Sequence, residues 1–143
     1  GKAVNRAAEC ERYNKLLETM QQDLQVLGIG SNGHIAFNEP GTPFGSVTHI
    51  VDLTESTIKD NSRLFANIED VPRQAFTMGL KNIMNAKKIL IMANGENKAR
   101  AVYGLVAGEV TENLPASILQ LHPDCTLLCD EAAAALIKKA GLA

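Results

Sequence analysis

Three polar side chains that together could move a proton lie on one glycine-rich stretch, LGIGSNGHIAFNEPG, residues 27–41. Histidine titrates near neutral pH, so His34 could serve as an acid or as a base. The carboxylate of Glu39, folded back towards the ring, could orient the imidazole and stabilise its charged form. Asn32 offers both a donor and an acceptor without charge. These residues predict a proton-transfer site. A structural loop histidine beside a solvated glutamate is the alternative that the residue types leave open.

The glycines of this stretch permit sharp turns and a close approach of the backbone to a ligand. We expect Gly28, Gly30 and Gly33 to contact a bound substrate. The segment GIGSNG is superficially similar to a dinucleotide fingerprint, but no helix is predicted to start here and no ribose-binding acid follows at the usual distance. The sequence therefore does not favour dinucleotide binding.

Two cationic residues could hold an anionic group of the substrate. Arg63 lies in NSRLF, on a predicted helix, where it could clamp a phosphate or a carboxylate. Lys98 begins a predicted helix, and a cation there opposes the helix dipole, which indicates an anion held between the N–H groups and the ammonium group. For both residues, a solvent-exposed side chain without a ligand is the common alternative. His49 and His122 lack nearby partner patterns and are interpreted as structural.

The elements that must position these residues alternate between strands and helices, which predicts an α/β domain with a mainly parallel sheet flanked by helices. Strands are predicted at 24–30, 46–53, 74–79, 87–95 and 125–130. Helical segments are predicted at 3–21, 54–68, 80–86, 96–108, 115–121 and 131–141. Ligands bind beyond the carboxyl ends of such strands, so the loops after strands 24–30 and 87–95 could face one crevice.

The bulk properties fit a single domain spanning residues 1–143. The net charge of −2 and the lack of a basic run argue against nucleic-acid and membrane-surface partners. No apolar run approaches the roughly 20 residues of a membrane span, and no secretory leader is recognisable. Cys10, Cys125 and Cys129 are predicted to be buried free thiols in a reducing cytoplasm.

The motifs of the chain closely resemble those of the glucosamine-6-phosphate deaminases, a family also called glucosamine-6-phosphate isomerases. The resemblance begins with LGIGSNGHIAFNEPG and covers essentially the whole chain through STIKDNSRLF, VPRQAFTMGLKNIMNAKKILIMANGENKA, LPASILQLH and CDEAAA. The block GHIAFNEP is specific, because in the related 6-phosphogluconolactonases the Gly-His pair is followed by residues resembling T-A-S-L-F-P. A sugar-phosphate lactonase or isomerase and a catalytically silent sugar-phosphate-binding protein remain the alternatives.

The resemblance implies a Rossmann-like fold and a cytoplasmic enzyme of amino-sugar breakdown. The implied reaction converts glucosamine 6-phosphate and water to fructose 6-phosphate and ammonia, without a metal or an organic cofactor. By resemblance, His34 opens the sugar ring as an acid and base, with Glu39 as its charge partner. Arg63 and Lys98 match residues that hold the substrate phosphate. The implied partner is a small sugar phosphate.

Three departures from the family pattern lead to further expectations. Many members carry Asp at the position of Asn32, so the imidazolium of His34 should be stabilised less here than by a charged neighbour. The first βα units of the family, with a phosphate loop and the base that moves a proton between C1 and C2, have no counterpart, which predicts the C-terminal portion of a longer enzyme. The stretch TPFGSVTHIVD has only His49 as a cationic candidate, so regulation by an amino-sugar phosphate is not expected.

Unpaired strand edges would favour a homo-oligomer.

Overall fold

The computed structural model describes residues 3–142, apart from the side chains of residues 56 and 60. Within these residues the strands are β1 (Gln25–Gly28), β2 (His49–Asp52), β3 (Gln74–Thr77), β4 (Ile89–Ala93) and β5 (Cys125–Cys129). The α-helices are α1 (Arg6–Thr19), α2 (Glu55–Asn61), α3 (Leu80–Met84), α4 (Ala99–Ala107) and α5 (Ala135–Lys139). Short 3-10 helices span Ser62–Leu64, Ile68–Asp70, Glu96–Lys98 and Pro115–Leu121.

The central element is a three-stranded parallel sheet in the order β1-β4-β5, which confirms the predicted α/β fold. Its register aligns Val26 with Leu90 and Leu90 with Thr126. Strands β2 and β3 form a separate antiparallel ribbon. The carboxyl ends of β1 and β4 therefore lie side by side, which places the loops that follow them at one edge of the sheet.

One face of the parallel sheet carries the hydrophobic core. Ile89 and Ile91 of β4 are almost completely buried, and they share one cluster with Leu80, Val102 and Leu119 from the helices. Alternation along a strand directs every second side chain to the opposite face.

That opposite face is largely uncovered in the described part of the chain. Val26, Met92 and Leu128 lie on it and are 48%, 43% and 58% exposed. Parallel sheets are normally covered on both faces, so the exposure of these apolar side chains is unusual for such a sheet.

Several predicted helices are shorter in the structure, and local side-chain hydrogen bonds explain one of the breaks. The helix predicted over 54–68 begins as expected, because the Thr54 hydroxyl accepts a hydrogen bond from the N–H of Thr57. It ends at Asn61, where the side chains of Asn61 and Ser62 donate to backbone carbonyls of the preceding turn. Such side chains compete with the helical backbone pattern. Arg63 consequently lies on a 3-10 helix.

The other helical segments also differ in their bounds. Segment 115–121 is a 3-10 helix, and 96–108 begins as a 3-10 turn before α4. The helix predicted over 131–141 starts only at Ala135, because a turn held by the Asp130 carboxylate precedes it. Within residues 3–142, no helix is long and apolar enough to cross a membrane.

Candidate functional site

A cleft of about 490 Å³ lies beyond the carboxyl ends of β1 and β4. Three parts of the chain line it: the loop after β1, the first turn of α2, and the turn after β4. The lining residues at the end of β1 and on the loop after it are Gly28, Ile29, Gly30, Ser31, Asn32, His34, Ala36 and Glu39, and those on the other two parts are Thr54, Thr57 and Lys98. The two loops that the sequence predicted to face one crevice do so.

Asn32, His34 and Glu39 form one hydrogen-bonded group on the wall of this cleft. The Nδ1 atom of His34 lies 2.8 Å from Oδ1 of Asn32 and 3.4 Å from Oε1 of Glu39. The Asn32 side chain also donates from Nδ2 to Oε2 of Glu39 at 2.8 Å. Asn32 thus bridges the ring and the carboxylate, and these contacts fix the positions of the three side chains relative to one another. His34 and Glu39 are each 31% exposed, so a ligand in the cleft can reach them.

This geometry determines which nitrogen of His34 carries the proton in the neutral ring. Because the amide of Asn32 donates to Glu39, its oxygen faces His34, and an oxygen can only accept. The Nδ1 atom must therefore be the donor. The opposite nitrogen, Nε2, is left with its lone pair free to accept a proton from a ligand.

Gly30 and Gly33 make this arrangement possible through close packing. A methyl group on Gly30 would lie 2.7 Å from Cγ of the His34 ring and closer still to Cε1 and Nδ1. The Gly30 N–H donates to the His34 carbonyl at 2.9 Å, which closes the loop on itself. Gly33 is buried at φ 86° against Leu114, outside the cleft lining. Gly28 borders open space. Substrate contact through Gly28 and Gly30 stays a prediction, and Gly33 serves the loop rather than the cleft surface.

A buried asparagine fastens the other end of the loop, although it was not among the predicted site residues. Asn38 is fully buried, and its Nδ2 donates to the carbonyls of Ile35 at 3.0 Å and Met78 at 2.8 Å. These bonds tie the segment next to Glu39 to the end of β3. The same segment contains Ala36 at φ 52°, a left-handed conformation that costs a non-glycine residue about 1–2 kcal/mol. The loop is held in place by its surroundings rather than by its own preference.

The two predicted cations differ in their placement. Lys98 lines the cleft and makes no ion pair among the described side chains. Arg63 is exposed and is not part of the lining, so its role as a phosphate clamp stays a prediction. Thr54 and Thr57, which motif reasoning missed, place hydroxyl groups in the cleft, with their Oγ1 atoms 2.9 Å apart.

The two histidines outside the cleft contact backbone groups through their ring nitrogens. His122 is buried, its Nε2 lies 2.9 Å from the Ala86 carbonyl, and its Nδ1 accepts from the N–H of Asp124. In His49, Nδ1 lies 2.7 Å from the carbonyl oxygen of Val47. Both interpretations from the sequence agree with these positions.

The three cysteines are free thiols of intermediate burial rather than fully buried ones. Burial, and secondarily the charge of Glu9, raises the pKa of the Cys10 thiol. Burial, and secondarily Asp124, raises the pKa of Cys125 in the same way. Both thiols are therefore poor nucleophiles at neutral pH.

Comparison with known proteins gives close relatives over nearly the full chain. A glucosamine-6-phosphate deaminase from Streptococcus pneumoniae (strain Hungary19A-6) is 60% identical over 135 residues, which are 94% of this chain and 57% of the relative. A solved structure of a monomeric glucosamine-6-phosphate deaminase superposes with a TM-score of 0.89 at 49% identity, covering 95% of this chain and 57% of that one. The chain thus spans somewhat over half the length of these relatives.

A more distant structure shares the fold alone. The 6-phosphogluconolactonase from Trypanosoma brucei superposes with a TM-score of 0.67 at 19% identity, covering 96% of this chain and 56% of that one. The family model for glucosamine-6-phosphate isomerases and 6-phosphogluconolactonase matches residues 2–128. Because this model matches most of the chain and the relatives are up to 60% identical to it, the chain belongs to the glucosamine-6-phosphate isomerase/6-phosphogluconolactonase family.

Proposed function

We propose that this chain carries the ring-opening part of a glucosamine-6-phosphate deaminase site, in an enzyme that converts glucosamine 6-phosphate and water to fructose 6-phosphate and ammonia. The observation that carries the proposal is the Asn32–His34–Glu39 group, which leaves Nε2 of His34 as the free nitrogen in the cleft. The names of the 60% and 49% identical relatives support the choice of substrate.

The ring-opening step needs one group that moves a proton between two oxygens of the sugar. Nε2 of His34 accepts the proton of the C1 hydroxyl while the bond between C1 and the ring oxygen breaks. C1 becomes an aldehyde, and the imidazolium returns the proton to the former ring oxygen, so no atom or charge is left over. The Glu39 carboxylate stabilises the imidazolium between the two transfers, and Asn32 keeps the ring and the carboxylate aligned.

The phosphate of the substrate needs a cation, and Lys98 is placed to supply it. Its ammonium group is a compact point charge on a flexible stem, and the residue ends the 3-10 turn directly before α4. The side chains of Thr54 and Thr57 line the neighbouring wall. We retain Arg63 as a second phosphate ligand that would have to reach the cleft from outside its present lining.

The complete reaction needs more than this chain supplies. Moving a proton from C2 to C1 after ring opening requires a second base, yet Glu39 is the only carboxylate of the described residues that lines the cleft. It is already engaged with Asn32 and His34. We therefore propose that the rest of the site comes from a segment corresponding to the uncovered part of the relatives. By the same reasoning, the 143-residue chain alone releases no ammonia.

Anomer exchange of glucosamine 6-phosphate tests this assignment without the second base. Opening and closing the ring interconverts the two anomers, which can be followed by exchange spectroscopy in NMR. We expect the chain to accelerate this exchange, His34→Gln to abolish the acceleration, and His49→Gln, a histidine outside the cleft, to leave it intact. Equal rates for the wild type and His34→Gln would refute the proposal.

Two other outcomes would point to the remaining alternatives. Binding of glucosamine 6-phosphate without faster anomer exchange would indicate a silent sugar-phosphate-binding protein. Hydrolysis of 6-phosphogluconolactone by the chain would indicate a lactonase. We also propose a cytoplasmic role in amino-sugar breakdown, which agrees with three cysteines that form no disulfide within residues 3–142.

A further inference from the structure

Asp130 follows β5 at the same edge of the sheet as the cleft, and its carboxylate binds two separate backbone segments. Both carboxylate oxygens accept a hydrogen bond from the N–H of Gly95, at 3.1 and 3.0 Å. The Oδ1 atom also accepts from the N–H of Ala133 at 2.8 Å. The N–H of Asp130 itself donates to the carbonyl of Ala93, the last residue of β4, at 3.3 Å. Asp130 therefore joins the ends of β4 and β5.

The segment that Asp130 holds leads directly to the cleft cation. Gly95 adopts φ 88° and forms the cap of the 3-10 helix Glu96–Lys98. The N–H of Lys98 donates back to the Gly95 carbonyl at 3.1 Å, so Gly95 and Lys98 belong to one closed turn. A displacement of Gly95 consequently displaces the backbone of Lys98.

We propose that Asp130 is a positioning residue for the anion-binding part of the cleft, acting on Lys98 through the Gly95 turn. The proposal rests on the proposed function to the extent that Lys98 holds the substrate phosphate. It assigns to Asp130 a role that does not require contact with the ligand, since Asp130 is not part of the cleft lining.

A carboxylate suits this role better than a neutral side chain. The backbone hydrogen bonds from Ala133 and then from Gly95 hold the pKa of Asp130 below that of an ordinary aspartate, so the group is ionised at neutral pH. Hydrogen bonds to an ionised acceptor are stronger than bonds between neutral groups. An asparagine in the same place has one acceptor oxygen, and its NH₂ group would face a backbone N–H.

The sign of the effect on anion affinity distinguishes positioning from simple electrostatics. Asp130→Asn removes a negative charge from the edge of the sheet that carries Lys98. By Coulomb attraction alone, this change would tighten the binding of an anion. Loss of positioning would weaken it instead.

Asp124→Asn is the matched control. Asp124 lies at the opposite end of β5, where its carboxylate is 3.6 Å from Nζ of Lys88. The substitution removes the same charge from an exposed aspartate without touching the Gly95 turn.

The test compares the wild-type chain, Asp130→Asn and Asp124→Asn in two measurements. The dissociation constants for inorganic phosphate and fructose 6-phosphate are measured by titration, and amide hydrogen exchange of Gly95 is measured by NMR in the free protein. We expect Asp130→Asn to weaken both ligands by roughly threefold to tenfold and to accelerate Gly95 exchange by about tenfold, the order expected when charge-assisted hydrogen bonds are lost. Asp124→Asn should change neither quantity.

Unchanged Gly95 exchange in Asp130→Asn, or tighter anion binding, would overturn the proposal. Urea unfolding of the three proteins shows whether a weakened affinity reflects global destabilisation, in which case exchange would accelerate throughout the sheet and the positioning role would be rejected. If the wild type binds neither ligand, the proposed function fails, whereas Gly95 exchange still decides whether Asp130 holds the turn.

Discussion

Gly30→Ala is the substitution that most sharply separates the geometry of the site from the stability of the fold. Gly30 needs no left-handed conformation, so an alanine is not excluded by its backbone angles. The conflict is with the imidazole of His34, whose Cγ would lie 2.7 Å from the new methyl group. The ring, which is 31% exposed, is the part that can move.

The structure gives the size of this movement. Cγ must move by at least about 0.7 Å to reach 3.4 Å, where ordinary van der Waals contact begins, and the nearer Nδ1 must move further. Nδ1 would lie 2.3 Å from the methyl group and must move by at least about 1.1 Å to reach the same 3.4 Å. If it moves directly away from Asn32, its distance from Oδ1 grows from 2.8 Å to about 3.9 Å, where no hydrogen bond remains. A misplacement of about 1 Å in a reacting group can cost roughly 10²-fold in rate. We expect a loss of that order in anomer exchange.

The cost in stability should be small, because the displaced ring can swing towards solvent. We expect a change below about 1 kcal/mol in the free energy of unfolding, less than the 1–3 kcal/mol typical of overpacking a closed core. Exchange spectroscopy with glucosamine 6-phosphate and urea unfolding measure the two quantities. Gly45→Ala is the control, because a methyl group there has no neighbour within 4 Å.

A rate of anomer exchange in Gly30→Ala equal to that of the wild type would refute the reasoning, since the position of the His34 ring would then not depend on the space beside Gly30. An equal loss of rate in Gly45→Ala would show that the chain responds to any added methyl group. Unfolding of Gly30→Ala would show that the loop cannot yield, and the rate would then carry no information on the ring.

Three further predictions concern packing and titration. Gly79→Ala would place a methyl group against the backbone oxygens of Ser46 and Val47, which lie just before β2, so we expect the free energy of unfolding in urea to fall by about 2 kcal/mol or more. An unchanged unfolding midpoint would contradict this. Because burial raises the pKa of Cys125, its reaction with a disulfide reagent at neutral pH should be far slower in the native chain than in urea, and comparable rates would count against it. Hydrogen bonds from Ala133 and Gly95 lower the pKa of Asp130 in the folded chain. The ionised carboxylate therefore contributes fully to the free energy of unfolding above the ordinary aspartate pKa of about 3.9, and this contribution is lost only as the pH falls through the lower pKa of the folded state. The Gly95 amide signal should therefore titrate below that range, and titration above it would show that the carboxylate is not held.

The grouping of the three polar side chains could be predicted from the sequence, because a titratable ring, a carboxylate and an amide on one short loop can reach one another; their role in proton transfer stays a prediction. His34, Glu39 and Asn32 occur within eight positions of a glycine-rich stretch, and the structure joins them. The role of Asn38 could not be found in this way, because its bond to the Met78 carbonyl joins the loop to a segment 40 residues further along the chain.

The parallel sheet was also predictable from the alternation of apolar strands and helices, whereas helix ends were not. Whether a polar side chain continues a helix or bonds its own backbone depends on small energy differences, as at Asn61 and Ser62. Arg63 was therefore predicted on an α-helix and lies on a 3-10 helix instead. The packing of Gly30 against the His34 ring could likewise not be predicted, because it depends on how the loop between the two residues folds back.

The protonation of the His34 ring tests the central claim most directly. Long-range ¹H–¹⁵N correlation spectra distinguish the two nitrogens of a neutral imidazole and also show when a ring is doubly protonated, so the spectrum is taken from a pH series at the point where the His34 ring is neutral. Because the Asn32 oxygen can only accept, the proton should reside on Nδ1, with Nε2 unprotonated and free for a ligand. A ring protonated on Nε2 instead would contradict the ring-opening role, since His34 could not then take a proton from the sugar.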